Sequence, residues 1–263
     1  MNPQADHRAT VPASLLAAVQ GAEHVTVLTG AGMSAESGVP VFRDADRALW
    51  GKSDPDEVAT AEAWMHDPEL VWAWHWWLAR LIGRSTPHGG HRALAEWARH
   101  TRIDIVTQNV DDLHERAGSP RPLHLHGSLF TFSCESCTRP YDLAVPPLQE
   151  GEEPQLRSAP PSCPQCAANV RPDVVLFGER LPEGAFDRAV DLMLTTDLVL
   201  VVGTSGVVQP AASLPDIARG HGTMVVEINP QHTELSWGVD LCWREDAGRA
   251  LPALVEALGF AQG

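Results

Sequence analysis

A doubly wound α/β sheet carrying a smaller inserted module is the fold this 263-residue sequence predicts. Three observations predict it. Short apolar runs alternate with helix-like stretches. A polar or glycine-bearing turn follows each run. Two stretches break the alternation, one rich in tryptophan and one in cysteine.

The runs Val25 to Leu28, Ile103 to Thr107, Leu198 to Val202 and Met224 to Ile228 read as parallel strands buried on both faces, because they are apolar throughout. They lead into Thr29-Gly30, Gln108-Asn109, Gly203-Thr204-Ser205 and Asn229-Pro230. In such sheets the ligand lies at the carboxyl ends of the strands, which is where these turns sit. Gly90 to Arg99, Phe186 to Leu194 and Ala211 to Ala218 read as intervening helices. Residues 43–90 contain no strand pattern and six of the nine tryptophans. A helix from Asp67 to Ile82 is signalled by Asp67 as cap, Pro68 in its first turn and Glu69 against its dipole. Its Trp72, Trp74, Trp76 and Trp77 are too many for one core face, so some are expected to line a groove. Residues 131–170 hold two cysteine pairs and a loop rich in Pro and Glu.

With 44% hydrophobic and 20% charged residues, the composition is that of a soluble globular chain. The net charge of −15 argues against a protein that grips nucleic-acid phosphates and favours basic peptide partners. The first ten residues lack the apolar core of a secretion signal, and no apolar run approaches the roughly 20 residues of a membrane helix. The expectation is a soluble, cytoplasmic protein with no membrane partner. Lys52 is the only lysine.

Gly30-Ala31-Gly32-Met33-Ser34 follows the first strand. A GxG turn lets backbone N–H groups approach a pyrophosphate closely, but the third glycine of the common GxGxxG pattern is missing, and a plain tight turn fits equally. Cys134-x-x-Cys137 and Cys163-x-x-Cys166 carry a stronger signal. Two such knuckles, 25 residues apart, complete a tetrahedral zinc site. Four thiolates leave no open position, so the metal is expected to be structural. A redox dithiol is the alternative reading, and the fifth cysteine, Cys242, reads as a small apolar residue. In Thr107 to His114 and in Leu123 to Ser128, a histidine near the sheet's ligand end is a candidate general base. Spacing alone does not choose among His114, His124 and His126.

Taken together, these segments resemble the sirtuin family: GAGMSAESGVPVFR (Gly30 to Arg43), TQNVDDLH (Thr107 to His114), LHLHGS (Leu123 to Ser128), both CxxC pairs, RPDVVLFGE (Arg171 to Glu179), GTSGVVQPAA (Gly203 to Ala212) and EINP (Glu227 to Pro230). The resemblance implies a Rossmann-type large domain (1–42, 87–130 and 171–263). It also implies a small domain made of a helical module (43–86) and a zinc-binding module (131–170). It implies an NAD-dependent protein-lysine deacylase. Gly30, Ala31, Ser34, Gln108, Gly203, Thr204, Ser205 and Asn229 would hold the diphosphate and riboses, with Ala247 also against the cofactor. Phe42 and Arg43 would sit on a closing loop, and Asn109 and Asp111 would bind the nicotinamide end. The acyl oxygen would attack the ribose as nicotinamide leaves, and His126 would act as base, giving O-acyl-ADP-ribose and free lysine. Val174, Phe177, Gly178, Glu179 and Val207 fall on the two edges that would hold an acyl-lysine peptide as an added strand. A monomer is expected.

The stretch from Phe42 to Trp72 is similar to the branch that removes succinyl groups, which grips the distal carboxylate with a tyrosine and an arginine. His75 and Leu78 align with those positions, one helix face without the fixed charge. Poor desuccinylation is therefore expected. Ala59 matches a small residue that keeps the acyl pocket roomy, so acetyl or longer apolar chains should fit. Asp112 stands where the family usually has glycine, which would matter if that position needs a positive φ. The rival functions are an ADP-ribosyltransferase or NAD hydrolase in the same cleft, and an idle NAD-sensing scaffold.

Overall fold

A computed structural model describes residues 9–40 and 58–260. Six parallel strands form the main sheet: β1 (His24–Thr29), β2 (Arg102–Thr107), β3 (Leu123–His124), β6 (Leu198–Val202), β7 (Met224–Ile228) and β8 (Leu241–Trp243). Their order is β3-β2-β1-β6-β7-β8. This is the doubly wound order of dinucleotide-binding folds, and the direction of winding reverses between β1 and β6.

The four runs read from the sequence are the four central strands, and the reason is visible in the packing. Leu198, Leu200 and Val202 of β6 enter one core with Val25, Val27, Ile105 and Val226, beneath the Ala13–Gly21, Gly89–Trp97 and Ala247–Ala257 helices. Val199 and Val201 enter the other core with Leu28, Val106 and Val225, against the Ala185–Thr195 and Leu214–Gly220 helices. A strand covered on both faces needs apolar residues at every position.

Outside this sheet, β4 (Gly127–Cys134) and β5 (Val170–Val174) form an antiparallel pair. The expected module limits at 130 and 171 fall inside this hairpin. Trp64 and Trp72 from the helices Ala61–His66 and Pro68–Ile82 share one core with Phe132, Cys134, Cys163, Val170 and Leu176. The tryptophan-rich and cysteine-rich segments are thus two halves of one packed unit. Asp67 caps the longer helix, its Oδ1 accepting from the Leu70 N–H at 3.2 Å, with Pro68 in the first turn. Trp72, Trp74 and Trp77 are buried, while Trp76 and Trp77 line a groove with Arg80, Glu152 and Ser158. Asp112 has φ −110°, so that position makes no demand for glycine. Among the described residues, no helix is long and apolar enough to cross a membrane.

Candidate active site and metal centre

In doubly wound sheets the ligand site falls where the winding reverses, here between β1 and β6. The Gly30 N–H donates to Val202 O at 3.1 Å and the Gly32 N–H to Gly203 O at 2.7 Å, joining the turns after β1 and β6 by backbone alone. A Cβ on Gly30 would lie 2.7 Å from the Thr204 Cβ, and one on Gly32 would lie 2.7 Å from the Gly203 oxygen. Glycine is required at both positions for this approach. Gln108 Nε2 donates to Thr204 Oγ1 at 2.9 Å, and Asn229 Nδ2 to Thr204 O at 3.2 Å. Four strand ends thereby present Gly30, Gln108, Gly203 to Ser205 and Asn229 together. Ala31 and Ser205 are exposed there, and Ser34 is buried. Ala247 is buried at the start of its helix, where the neighbouring Gly248 N–H is taken by Glu36 Oε2 at 2.6 Å. Phe42 and Arg43 lie outside the described residues.

Asn109 and Asp111 sit deeper, 7% and 4% exposed. Asn109 Nδ2 donates to Ser34 Oγ at 3.1 Å, and Ser34 Oγ donates to Asp111 Oδ2 at 2.7 Å. The Leu113 N–H donates to Asp111 Oδ1 at 3.0 Å. Burial pushes the Asp111 carboxyl up, and the Ser34 and Leu113 hydrogen bonds pull against that rise.

Geometry separates the three histidines that spacing could not. His114 is buried beneath the sheet end, its Nε2 3.2 Å from Thr29 Oγ1. His124 places Nε2 2.8 Å from Glu115 Oε1. Burial lowers its pKa, but that carboxylate more than reverses the effect. His126 places Nδ1 3.0 Å from Gln108 O. This carbonyl holds the proton on Nδ1, so Nε2 is the basic nitrogen, and none of the described residues bonds it. Burial lowers the His126 pKa, partly offset by the Gln108 carbonyl. Gly127 follows with φ +74°, and a Cβ there would fall 1.8 Å from Asp173 O. Glycine at 127 lets the histidine strand lie against β5, where the Val175 N–H donates to His126 O at 2.9 Å.

Among the residues expected to flank a peptide, Phe177 and Val207 are 49% and 45% exposed, Gly178 is also exposed, and Val174 is buried. Phe177 already pairs with the helical module: its N–H donates to Ala59 O at 2.8 Å, and its carbonyl accepts from the Ala61 N–H at 2.9 Å. The sequence reading missed the clamp that shapes this edge. Arg171 forms a bidentate pair with Glu179 at 2.6 and 3.0 Å, donates to Val174 O at 2.9 Å and lies over the Trp64 ring. The signal was present as opposite charges bracketing RPDVVLFGE. Ala59 is buried, His75 is buried with Nδ1 2.8 Å from Val71 O, and Leu78 is half-buried against the small-domain core.

The four cysteine sulfurs lie within 4.8 Å of one another, with Cys134–Cys166 at 3.5 Å and Cys137–Cys163 at 3.7 Å. Tetrahedral Zn–S bonds of about 2.3 Å set sulfurs about 3.8 Å apart. The donor set therefore fits a structural zinc ion. Each knuckle ends on a non-glycine residue with positive φ, Thr138 at 55° and Ala167 at 61°. That conformation costs roughly 1–2 kcal/mol per residue.

The Sir2 family model matches residues 30–210. The chain belongs to the Sir2 family. A relative named NAD-dependent protein deacylase, from Mycobacterium tuberculosis, is 49% identical over 234 residues, 89% of this chain and 97% of the relative. Another of that name, from Corynebacterium glutamicum, is 45% identical over 242 residues, 90% of this chain and 92% of the relative. Among solved structures, a Sir2 homolog–NAD complex matches at TM-score 0.87 and 39% identity, covering 98% of each chain. A Sir2–p53 peptide–NAD+ complex matches at TM-score 0.81 and 27% identity, covering 96% of this Sir2-family chain and 100% of the other.

Proposed function

We infer that this chain is an NAD-dependent protein-lysine deacylase in which His126 is the base and Asn109 and Asp111 bind the nicotinamide end. The observation that carries the reading is a histidine whose Nδ1–H is fixed by the carbonyl of Gln108, the neighbour of Asn109 in the Ser34–Asn109–Asp111 chain, and whose Nε2 has no partner among the described residues. When bound, NAD would supply a ribose carbon with nicotinamide as leaving group and ribose hydroxyls as acceptor for the acyl group, with water completing the release of free lysine. Gly30, Ala31, Gln108, Gly203, Thr204, Ser205 and Asn229 would hold the diphosphate and riboses, with Ala247 alongside. His126 Nε2 would take a proton from a ribose hydroxyl while the Nδ1–H stays on Gln108 O. Phe177, Gly178 and Val207 would flank an acyl-lysine peptide laid in as a strand, with Glu179 and Val174 fixing that edge. The zinc ion, held by Cys134, Cys137, Cys163 and Cys166, would keep the small domain folded and take no part in the chemistry. The proposal is of a cytoplasmic monomer with no nucleic-acid or membrane partner, and the net charge of −15 supports the exclusion of nucleic acid.

The test is mass spectrometry of acetyl-, butyryl-, myristoyl- and succinyl-lysine peptides with and without NAD. NAD-dependent appearance of free lysine supports the reading; NAD consumption without it would favour a hydrolase or transferase.

Two further outcomes follow. A succinyl group should bind about 10- to 100-fold less well than in a pocket that has the arginine, the worth of a lost charge-assisted contact of about 1.5–3 kcal/mol, and should therefore turn over poorly beside an apolar acyl group. Burial lowers the His75 pKa to about 4, so His75 is neutral at pH 7, and Leu78 carries no charge. The nearby Arg171 is already committed to Glu179. Efficient desuccinylation would sink this assignment of the acyl pocket. Second, the base must be neutral to act, and burial depresses its pKa. Activity should therefore persist as pH falls through 6.5 and be lost only below it. A pH profile of kcat/KM with an acid limb centred above 7 would assign that limb to another group.

A further inference from the structure

We propose that Glu227 is a positioning residue whose buried carboxylate sets the shape of both the cofactor turn at Thr204-Ser205 and the peptide edge at Gly206-Val207. The proposal rests on the reading above that these two turns hold NAD and peptide. Glu227 lies in the interior of β7 and is 1% exposed. A charge there is costly unless it is paired, and this one is paired on both oxygens. Thr233 Oγ1 donates to Oε1, while Ser236 Oγ and Arg244 Nη1 donate to Oε2 at 2.7 and 2.6 Å. Arg244 also donates through Nη1 to Gln231 O at 3.0 Å and through Nη2 to Ser236 Oγ at 2.8 Å. Thr233 and Ser236 close a reciprocal capping box, the Thr233 N–H donating to Ser236 Oγ at 2.9 Å and the Leu235 N–H to Thr233 Oγ1 at 3.1 Å.

The chain from 229 to 237 is therefore folded inward around one carboxylate, and it has two points of contact with the site. At its start, Asn229 Nδ2 holds Thr204 O, the residue whose hydroxyl accepts from Gln108. Near its end, the Glu234 N–H donates to Ser205 O at 3.3 Å, and Leu235 fills the space beneath Gly206. A Cβ on Gly206, which has φ +73°, would lie 2.4 Å from the Leu235 Cγ. Releasing the segment from Glu227 loosens both contacts while leaving His126, Asn109 and Asp111 untouched.

The experiment compares Glu227→Gln, Arg244→Met, Leu235→Ala and an Asn229→Ala control, using steady-state kinetics with NAD and an acetyl-lysine peptide, ADP-ribose calorimetry and thermal melts. For Glu227→Gln we expect KM for NAD and for peptide to rise together by about tenfold, with kcat within about twofold, the pattern of lost ground-state binding. Arg244→Met should act in the same direction, and the double variant should lose less than the product of the two single effects. Leu235→Ala, which leaves the carboxylate network intact, should raise the peptide KM alone, and it carries the test if Glu227→Gln does not fold. A lowered Tm with both KM values unchanged in Glu227→Gln, or an unchanged peptide KM in Leu235→Ala, overturns the proposal. If Asn229→Ala leaves the NAD KM unchanged, it is the underlying cofactor assignment that fails.

Discussion

A His126→Ala variant is expected to lose about 10²- to 10⁴-fold in kcat while binding ADP-ribose with near wild-type affinity, the range typical of removing a positioned general base. The reasoning is geometric. The ring is held through Nδ1 by the Gln108 carbonyl and through its backbone by Val175, so removing it deletes the basic Nε2 with little rearrangement around it. His126→Asn is the companion variant, because it keeps a polar side chain of similar reach without the titrating nitrogen, and it should be nearly as slow. His124→Asn should be far less damaging to kcat, since that ring is engaged by Asn109 O and Glu115. Single-turnover kinetics with isotope-labelled NAD separate the steps. If His126→Ala turned over at the wild-type rate, the base would have to be sought elsewhere.

Replacing Cys163 by alanine, or stripping zinc with a strong chelator, should unfold the small domain and abolish activity while leaving the main sheet's circular dichroism largely in place. Structural zinc contributes on the order of 10 kcal/mol in small metal-organised modules. Cys134 and Cys163 are themselves members of the core that holds Trp64 and Trp72. Metal loss should therefore appear as a large change in tryptophan fluorescence, and zinc should be released at one equivalent per chain. Full activity in a preparation shown by elemental analysis to lack zinc would refute the structural role. Cys242→Ser, by contrast, should change neither the zinc release nor the metal-dependent fluorescence, because that thiol lies beside Glu227 against Ser236 O and outside the four-cysteine cluster.

The central strands and the Asp67 helix cap were legible in the sequence because their causes are local. An apolar run covered on both faces, and an aspartate before a proline, carry their own explanation. Edge strands β3 and β8 were not read, since two and three residues carry no periodicity. The β4–β5 hairpin was hidden because its register shifts between Ser128 and Phe132, and because the cysteine-bearing segment separates its two strands. The choice of histidine was illegible for a different reason. His114, His124 and His126 differ only in what long-range packing places beside their ring nitrogens: Thr29, Glu115 and Gln108. The network at Glu227 was equally hidden, since its donors Thr233, Ser236 and Arg244 come from a short 3-10 turn and from the residue after β8, and only the fold brings them together.

The single core shared by Trp64 and Trp72 with Val170 and Leu176 bears on how the protein is made. On the ribosome, the tryptophan-bearing helix emerges about 100 residues before the strand that covers it, a wait of about 5–20 s at ordinary elongation rates. Throughout that wait, an apolar, aromatic surface stands without its partner and offers a chaperone or another nascent chain a place to bind. The cysteines arrive in the same order, Cys134 and Cys137 first, so zinc cannot be fully coordinated until Cys166 has left the exit tunnel. Yield during synthesis should therefore depend on zinc supply and on the speed of translation between these two segments more steeply than the stability of the finished protein does.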